Sequence, residues 1–216
     1  DMFVNTGEKV VVPDMFWGNY RLIFEGRRQA ELETFPFFNA QGTINLAALE
    51  QALRSCGKKM TLVLNFPNNP TGYSPSEDEA RAIVELLKKL ADEGNDVLCL
   101  IDDAYFGLFY EEDTLKESLF GLLADLHENI LAVKFDGATK EELAWGFRVG
   151  FVTYAAKGMQ AAQYEALQKK TMGAIRASIS NANRMAQSLM LKGLQSSDYA
   201  AEKEAAFKIL EERYHK

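Results

Sequence analysis

Cysteine is nearly absent: Cys56 and Cys99 are the only two in 216 residues. They fall into no metal-ligand spacing, so no cysteine zinc site or disulfide framework is expected, and both read as buried or free thiols of a reducing cytosol. Long apolar runs are missing too. None approaches the roughly 18–20 residues that a membrane-spanning helix needs, and no basic-then-apolar leader follows Asp1-Met2-Phe3. Positive charge is the minority sign, with 24 Lys and Arg against 31 Asp and Glu. The net charge of -7, with basic residues scattered rather than clustered, argues against a nucleic-acid footprint. Internal repeats and low-complexity tracts are absent. These absences leave the expectation of a cytoplasmic protein with no metal, membrane or nucleic-acid partner.

What the chain has is ordinary globular composition, 47% hydrophobic and 25% charged, in an alternating pattern. Apolar runs fit strands at 9–13, 29–35, 61–65, 97–102, 130–135 and 148–154. Helical patterns fall at 18–26, 45–56, 76–93 and 114–124, and again from 156 onward. Ser76-Glu77-Asp78-Glu79 starts a helix, with Ser76 as the cap and Glu79 completing a capping box. Gly94-Asn95 closes that helix as a left-handed cap would. Alternating β and α units with near-continuous apolar strands imply an α/β fold, three layers around a mostly parallel sheet covered on both faces. Ligands of such sheets bind beyond the carboxyl ends of the strands. Asn69, Asp102 and Lys140 all fall there.

Those three belong to a set of four elements: Asn69-Pro70-Thr71-Gly72, Asp102-Asp103-Ala104-Tyr105, Ala138-Thr139-Lys140 and Trp145-Gly146-Phe147-Arg148-Val149-Gly150. Taken singly, each has an ordinary reading. The first is a turn, the two aspartates are a solvated strand end, and Lys140 is a surface lysine. Two observations weigh against that. Leu98-Cys99-Leu100-Ile101 delivers at least one carboxylate from the core, and a carboxylate buried without a partner is costly. Arg148 enters an apolar strand, where a guanidinium wants an anion.

In this order the elements resemble the class I aminotransferases of the aspartate/aromatic group, pyridoxal-phosphate enzymes of fold type I, over nearly the whole chain. The resemblance implies that Lys140 forms the internal aldimine with pyridoxal 5'-phosphate. It further implies that Asp102, three residues before the tyrosine, partners the pyridinium nitrogen, and that Tyr105 and Asn69 bond the phenolic oxygen. Arg148 takes the phosphate as a bidentate ligand, with Thr139 as the nearest hydroxyl. Trp17-Gly18-Asn19-Tyr20 resembles the family's Trp-x-Asn-His, so Trp17 is expected to stack on the cofactor ring; a core tryptophan is the plain alternative. Tyr20 replaces the histidine and is a donor to Asp102. Arg176, with Ser180 and Asn181, resembles the segment that reaches across a dimer to a dicarboxylate substrate; a solvated helix arginine is the alternative there.

Such roles have a physical basis. A carboxylate beside the ring nitrogen keeps it protonated and able to accept electrons. Hydrogen bonds to the phenolate favour its ionised form, and a displaced lysine amine is placed to move a proton. The departures are equally definite. Gly137 stands where the family has a hydroxyl three residues before the lysine. The family's N-terminal phosphate loop would precede residue 1, and its α-carboxylate arginine would follow residue 216.

The expectation is therefore an internal piece of a longer transaminase. Residues 1–195 would form a large domain incomplete at its N-terminus, and 196–216 would begin the helix toward a small C-terminal domain. Phe207, Leu210 and Tyr214 line one side of that helix with nothing after it to pack on. The expected substrates are an amino acid (aspartate, glutamate or aromatic) and a 2-oxo acid, acting in amino-acid metabolism, with the full-length protein a homodimer and this piece inactive. A β-eliminating lyase of the same fold, or a non-catalytic ligand-sensing domain, are the alternatives.

Overall fold

The computed structural model describes residues 1–216. Its sheet is built from β1 (Lys9–Pro13), β2 (Glu31–Phe35), β3 (Lys59–Asn65), β4 (Asp96–Asp102), β5 (Ile130–Gly137) and β6 (Gly150–Ala155). The spatial order is β2-β1-β3-β4-β5-β6. Neighbours run parallel except β6, which is antiparallel to β5. The helices are α1 (Leu46–Arg54), α2 (Glu77–Asp92), α3 (Leu119–Leu123), α4 (Ala161–Ile179), α5 (Arg184–Leu194) and α6 (Tyr199–Tyr214).

Strand periodicity divides the core. Val11, Leu62, Leu64, Cys99, Ile101 and Ala132 face α1, α2 and α3 in one apolar cluster. The alternate residues Val10, Val12, Val63, Leu98, Leu100 and Val133 face Tyr20 and Phe24 in a second, smaller one. The same alternation separates the paired aspartates at the end of β4. Asp103 is buried on the α2 side, while Asp102 continues the row that faces Tyr20. Register brings Asn65, Asp102 and Phe135 level across β3, β4 and β5, so three strands end together under one cleft.

Local signals account for most elements. Ser76 Oγ accepts from the Glu79 amide at 3.3 Å, and Glu79 returns a carboxylate oxygen to the Ser76 amide at 2.9 Å. The Glu79 carboxylate also accepts from the Ile44 amide at 3.1 Å and from the Tyr73 hydroxyl, so this cap ties α2 to two preceding loops.

Three expected elements differ in form. The helix expected at 114–124 shortens to α3, because Thr114 and Leu115 are drawn into bridge contacts with Pro75 and Ser76. Ser118 then starts the helix by accepting from the Phe120 amide. The pattern at 18–26 becomes a wide π-type turn, Arg21–Gly26, with Tyr20 and Phe24 still on the buried side. The long C-terminal helical region is three helices. The first ends at Ser180, held at φ +70°.

Coverage of the two sheet faces is unequal. None of the side chains of α4 is buried. Met172 and Ile179 on α4, Met185 on α5 and Phe151 on β6 are all more than half exposed. No helix is long and apolar enough to cross a membrane.

Candidate functional site

A cleft of about 400 Å³ opens beyond the carboxyl ends of β3, β4 and β5. Its lining includes Trp17, Asn69, Asp102, Tyr105, Thr139, Lys140 and Arg148, every residue expected there except Tyr20, which stands one layer behind. Each arrives by a short excursion from a strand end. Asn69 is four residues past β3, Asp102 is the last residue of β4, and Lys140 is three past β5.

The centre of the cleft is a hydroxyl shared by two nitrogen donors. Lys140 Nζ lies 2.8 Å from Tyr105 Oη, and Asn69 Nδ2 lies 3.3 Å from the same oxygen. The ammonium also stands over the Tyr105 ring, 4.2 Å from its centroid. On the other wall, Asp102 is held from three directions. Tyr20 donates its hydroxyl to one carboxylate oxygen, the Ala104 amide donates to the other at 3.1 Å, and Asn65 Nδ2 donates to the Asp102 carbonyl at 2.7 Å. Tyr20 is buried, and its phenol pKa is pushed far up by that burial and by the adjacent Asp102 charge. It therefore stays a donor at every physiological pH.

Trp17 is 40% exposed and lies at the cleft with its ring edge-on to Tyr20, centroids 5.7 Å apart. Arg148 is exposed and precedes β6 rather than lying within the strand, as 148–154 had implied. It adopts the left-handed conformation, φ +54°, and donates to the Trp145 carbonyl at 3.3 Å. A non-glycine residue there carries strain of order 1–3 kcal/mol, of a kind that recurs at active sites and ligand clamps.

Arg176, Ser180 and Asn181 are not part of the cleft. They cluster at the exposed end of α4, where Arg176 donates to Ser180 Oγ at 2.7 Å.

Two contributors escaped the sequence reading. Asn65 links two parts of the site: besides Asp102, its side-chain oxygen accepts from the Asn69 amide at 2.8 Å. The signal was available, since Asn65 is a polar residue ending an otherwise apolar strand. The other is the reason for Gly137, which the sequence showed only as a departure from the family pattern. A Cβ at this position would stand 2.6 Å from the Val149 carbonyl and 2.9 Å from Gly150 Cα, so the hydroxyl expected three residues before the lysine has no room. The close passage of β6 across β5 demands glycine, which only the pairing Gly137↔Gly150 reveals.

Fold and cleft together define an open α/β domain with a lysine-containing cleft at the ends of a mostly parallel sheet. The chain belongs to the aminotransferase class I and II family, whose model matches residues 1–215. It is 27% identical over 195 residues to an aspartate aminotransferase of Thermotoga maritima, covering 89% of this chain and 45% of that protein. It is 31% identical over 153 residues to an LL-diaminopimelate aminotransferase of Gloeobacter violaceus, covering 69% of this chain and 36% of the relative. Among solved structures, an aminotransferase from Anaerococcus prevotii superposes with a TM-score of 0.84 at 23% identity, over 98% of this chain and 52% of that one. The cytoplasmic aspartate aminotransferase of Saccharomyces cerevisiae gives 0.76 at 19%, over 99% and 51%. The α/β architecture is thus that of the aminotransferases. The chain spans about half the length of these structures and less than half of the relatives.

Proposed function

We propose that this chain forms the cofactor-binding core of a pyridoxal-phosphate-dependent aminotransferase, exchanging an amino group between an amino acid and a 2-oxo acid. The carrying observation is the convergence of Lys140 Nζ and Asn69 Nδ2 on the Tyr105 hydroxyl, in a cleft whose opposite wall is the braced carboxylate of Asp102.

The donor set fits that cofactor. A primary amine is available for a carbonyl carbon, and two hydrogen-bonding groups stand beside it for the neighbouring ring oxygen. A carboxylate on the opposite wall suits a protonated ring nitrogen, and a guanidinium in the lining suits a phosphate. When bound, the protonated pyridine ring supplies the electron sink for the carbanion formed at the substrate Cα. Asp102 would hold a proton on the ring nitrogen, its carboxylate oriented by Tyr20 and Ala104. Lys140 would hold the cofactor covalently, and its amine is the group of this chain that would carry a proton at the substrate Cα. Trp17 would offer an aromatic face to the ring.

The fit differs from the family pattern at Gly137, leaving Thr139 and Arg148 as the phosphate-facing groups within this chain. A pyridoxal phosphate complex bound covalently is known for an aromatic-amino-acid aminotransferase of Burkholderia pseudomallei, 20% identical and similar in fold. The direct test adds pyridoxal phosphate to the purified protein and reads its visible absorbance. Wild type should develop the lysine-bound band, and Lys140→Ala should not; a band that survives in Lys140→Ala sinks the assignment.

Substrate choice, assembly and location belong to the same proposal. We infer a cytoplasmic homodimer, supported by the apolar surface of α4, α5 and β6. Residues 1–195 act as the large domain, with 196–216 leading into a second one. In the dimer, Arg176 would serve the partner's cleft and favour aspartate or glutamate. In the full-length protein, Arg176→Ala should then raise KM for a dicarboxylic substrate far more than for an aromatic one, and equal effects would contradict the assignment.

A further inference from the structure

Behind the Lys140 loop lies a half-buried charge cluster that none of the chemistry above uses. Lys203, on α6, donates to Glu142 Oε1 at 2.8 Å, to Glu141 Oε1 at 3.2 Å and to the Tyr199 hydroxyl at 3.1 Å. Tyr199 Oη in turn lies 2.9 and 2.8 Å from the two carboxylate oxygens of Glu142. The Glu142 side chain is only 14% exposed. Burial alone would favour a neutral Lys203, but its hydrogen bonds to Glu142 and Tyr199 overcome this and raise its pKa.

The position of the cluster gives it meaning. Glu141 directly follows Lys140 and packs on Gly107, where a Cβ would stand 3.3 Å from Glu141 Cγ. Gly107, at φ +87°, follows Tyr105 by two residues. Further along the same helix, Phe207 and Tyr214 hold the Tyr105 loop a second time, with ring centroids 5.3 and 4.9 Å from Tyr110. One helix therefore grips both loops whose side chains meet at the 2.8 Å contact between Lys140 and Tyr105.

A solvated surface ion pair contributes almost nothing. This one differs, because one ammonium neutralises two adjacent carboxylates that are partly withdrawn from water. Removing it leaves like charges side by side, and the loop carrying them must move to rehydrate them.

We propose that Lys203, Glu142 and Tyr199 are positioning residues, which set where the Lys140 amine stands against Tyr105 by anchoring the lysine loop to α6. The inference rests on Lys140 being the cofactor lysine.

The test uses purified protein, with pyridoxal phosphate as the probe. Its first readout is the rate at which borohydride fixes the probe on Lys140, followed by peptide mass. The second, without cofactor, is hydrogen–deuterium exchange along the chain. Lys203→Met should slow fixation about tenfold, the scale of losing a charge-assisted hydrogen bond network. It should also speed exchange at 105–110 and 138–144 while leaving β3 and β4 protected. Lys203→Arg should restore both readouts nearly to wild type. Tyr199→Phe, which keeps the ring and removes the hydroxyl, should lie between the two. Fixation in Lys203→Met equal to wild type overturns the inference alone. So does faster exchange spread evenly through β3 and β4, which would mark a general loss of stability. Wild-type protein that never takes the probe on Lys140 overturns the cofactor reading and this inference together.

Discussion

At the scale of single residues, the site depends on small differences of direction. Asp102 and Asp103 are chemically alike and adjacent, yet strand alternation sends one into the cleft and the other into the core. The family resemblance, which places the aspartate three residues before the tyrosine, had pointed to Asp102. Its bracing by Asn65 was not legible, because that contact crosses from β3 to β4 and no local pattern encodes it. Gly137 shows the same limit. In sequence it is a missing hydroxyl; in space it is the only residue that fits under Val149. Gly137→Ser should therefore fail to supply a phosphate ligand and should instead destabilise the protein by about 1–3 kcal/mol, as overpacking does. Urea denaturation measures this, and a serine variant as stable as wild type would contradict it.

At the scale of elements, caps and periodicity were readable, while tertiary pulls were not. The capping box of α2 followed from Ser76 and Glu79 alone. Ser76→Ala should cost about 1 kcal/mol, measured as a lowered Tm or denaturation midpoint. Because Glu79 also bonds Ile44 and Tyr73, Glu79→Ala should cost more than Ser76→Ala; the reverse order would deny the shared role. The shortened α3 marks where local pattern gave way: the 114–118 stretch is claimed by Pro75 and Ser76 before it can wind. On α6 the apolar stripe of Phe207, Leu210 and Tyr214 was visible, but not that Tyr110 receives two of its rings.

At the scale of the whole molecule, one buried charge couples fold to pH. Asp103 is 4% exposed, with one carboxylate oxygen unpartnered and Lys134 4.0 Å away. Burial pushes its pKa up to about 6, against the lowering effects of Ser118 and Lys134. The unfolded chain ionises Asp103 near 3.9, so between that value and about 6 it binds fewer protons than the folded chain, and stability falls as pH rises. Asp103→Asn abolishes that slope. Its stability relative to wild type should grow by about 2–3 kcal/mol from pH 4 to pH 7, a two-unit shift at 1.36 kcal/mol per unit. Denaturant titrations at both pH values check this, and parallel pH dependences in the two proteins would refute it.

The amino-acid sequence by itself determined the alternating α/β order, through local periodicity, and its family resemblance pointed to Asn69, Asp102, Tyr105, Lys140 and Arg148, which the fold brings to one cleft. Those motifs are readable because their members lie close in the chain. Only the tertiary structure decided the strand order, the glycine crossing of β5 and β6, the bracing of Asp102 by Asn65, and the grip of α6 on both loops of the cleft. Each of these joins residues far apart in sequence. Contacts of that kind arise from packing and hydrogen-bond satisfaction across the folded chain, which no window along the sequence contains.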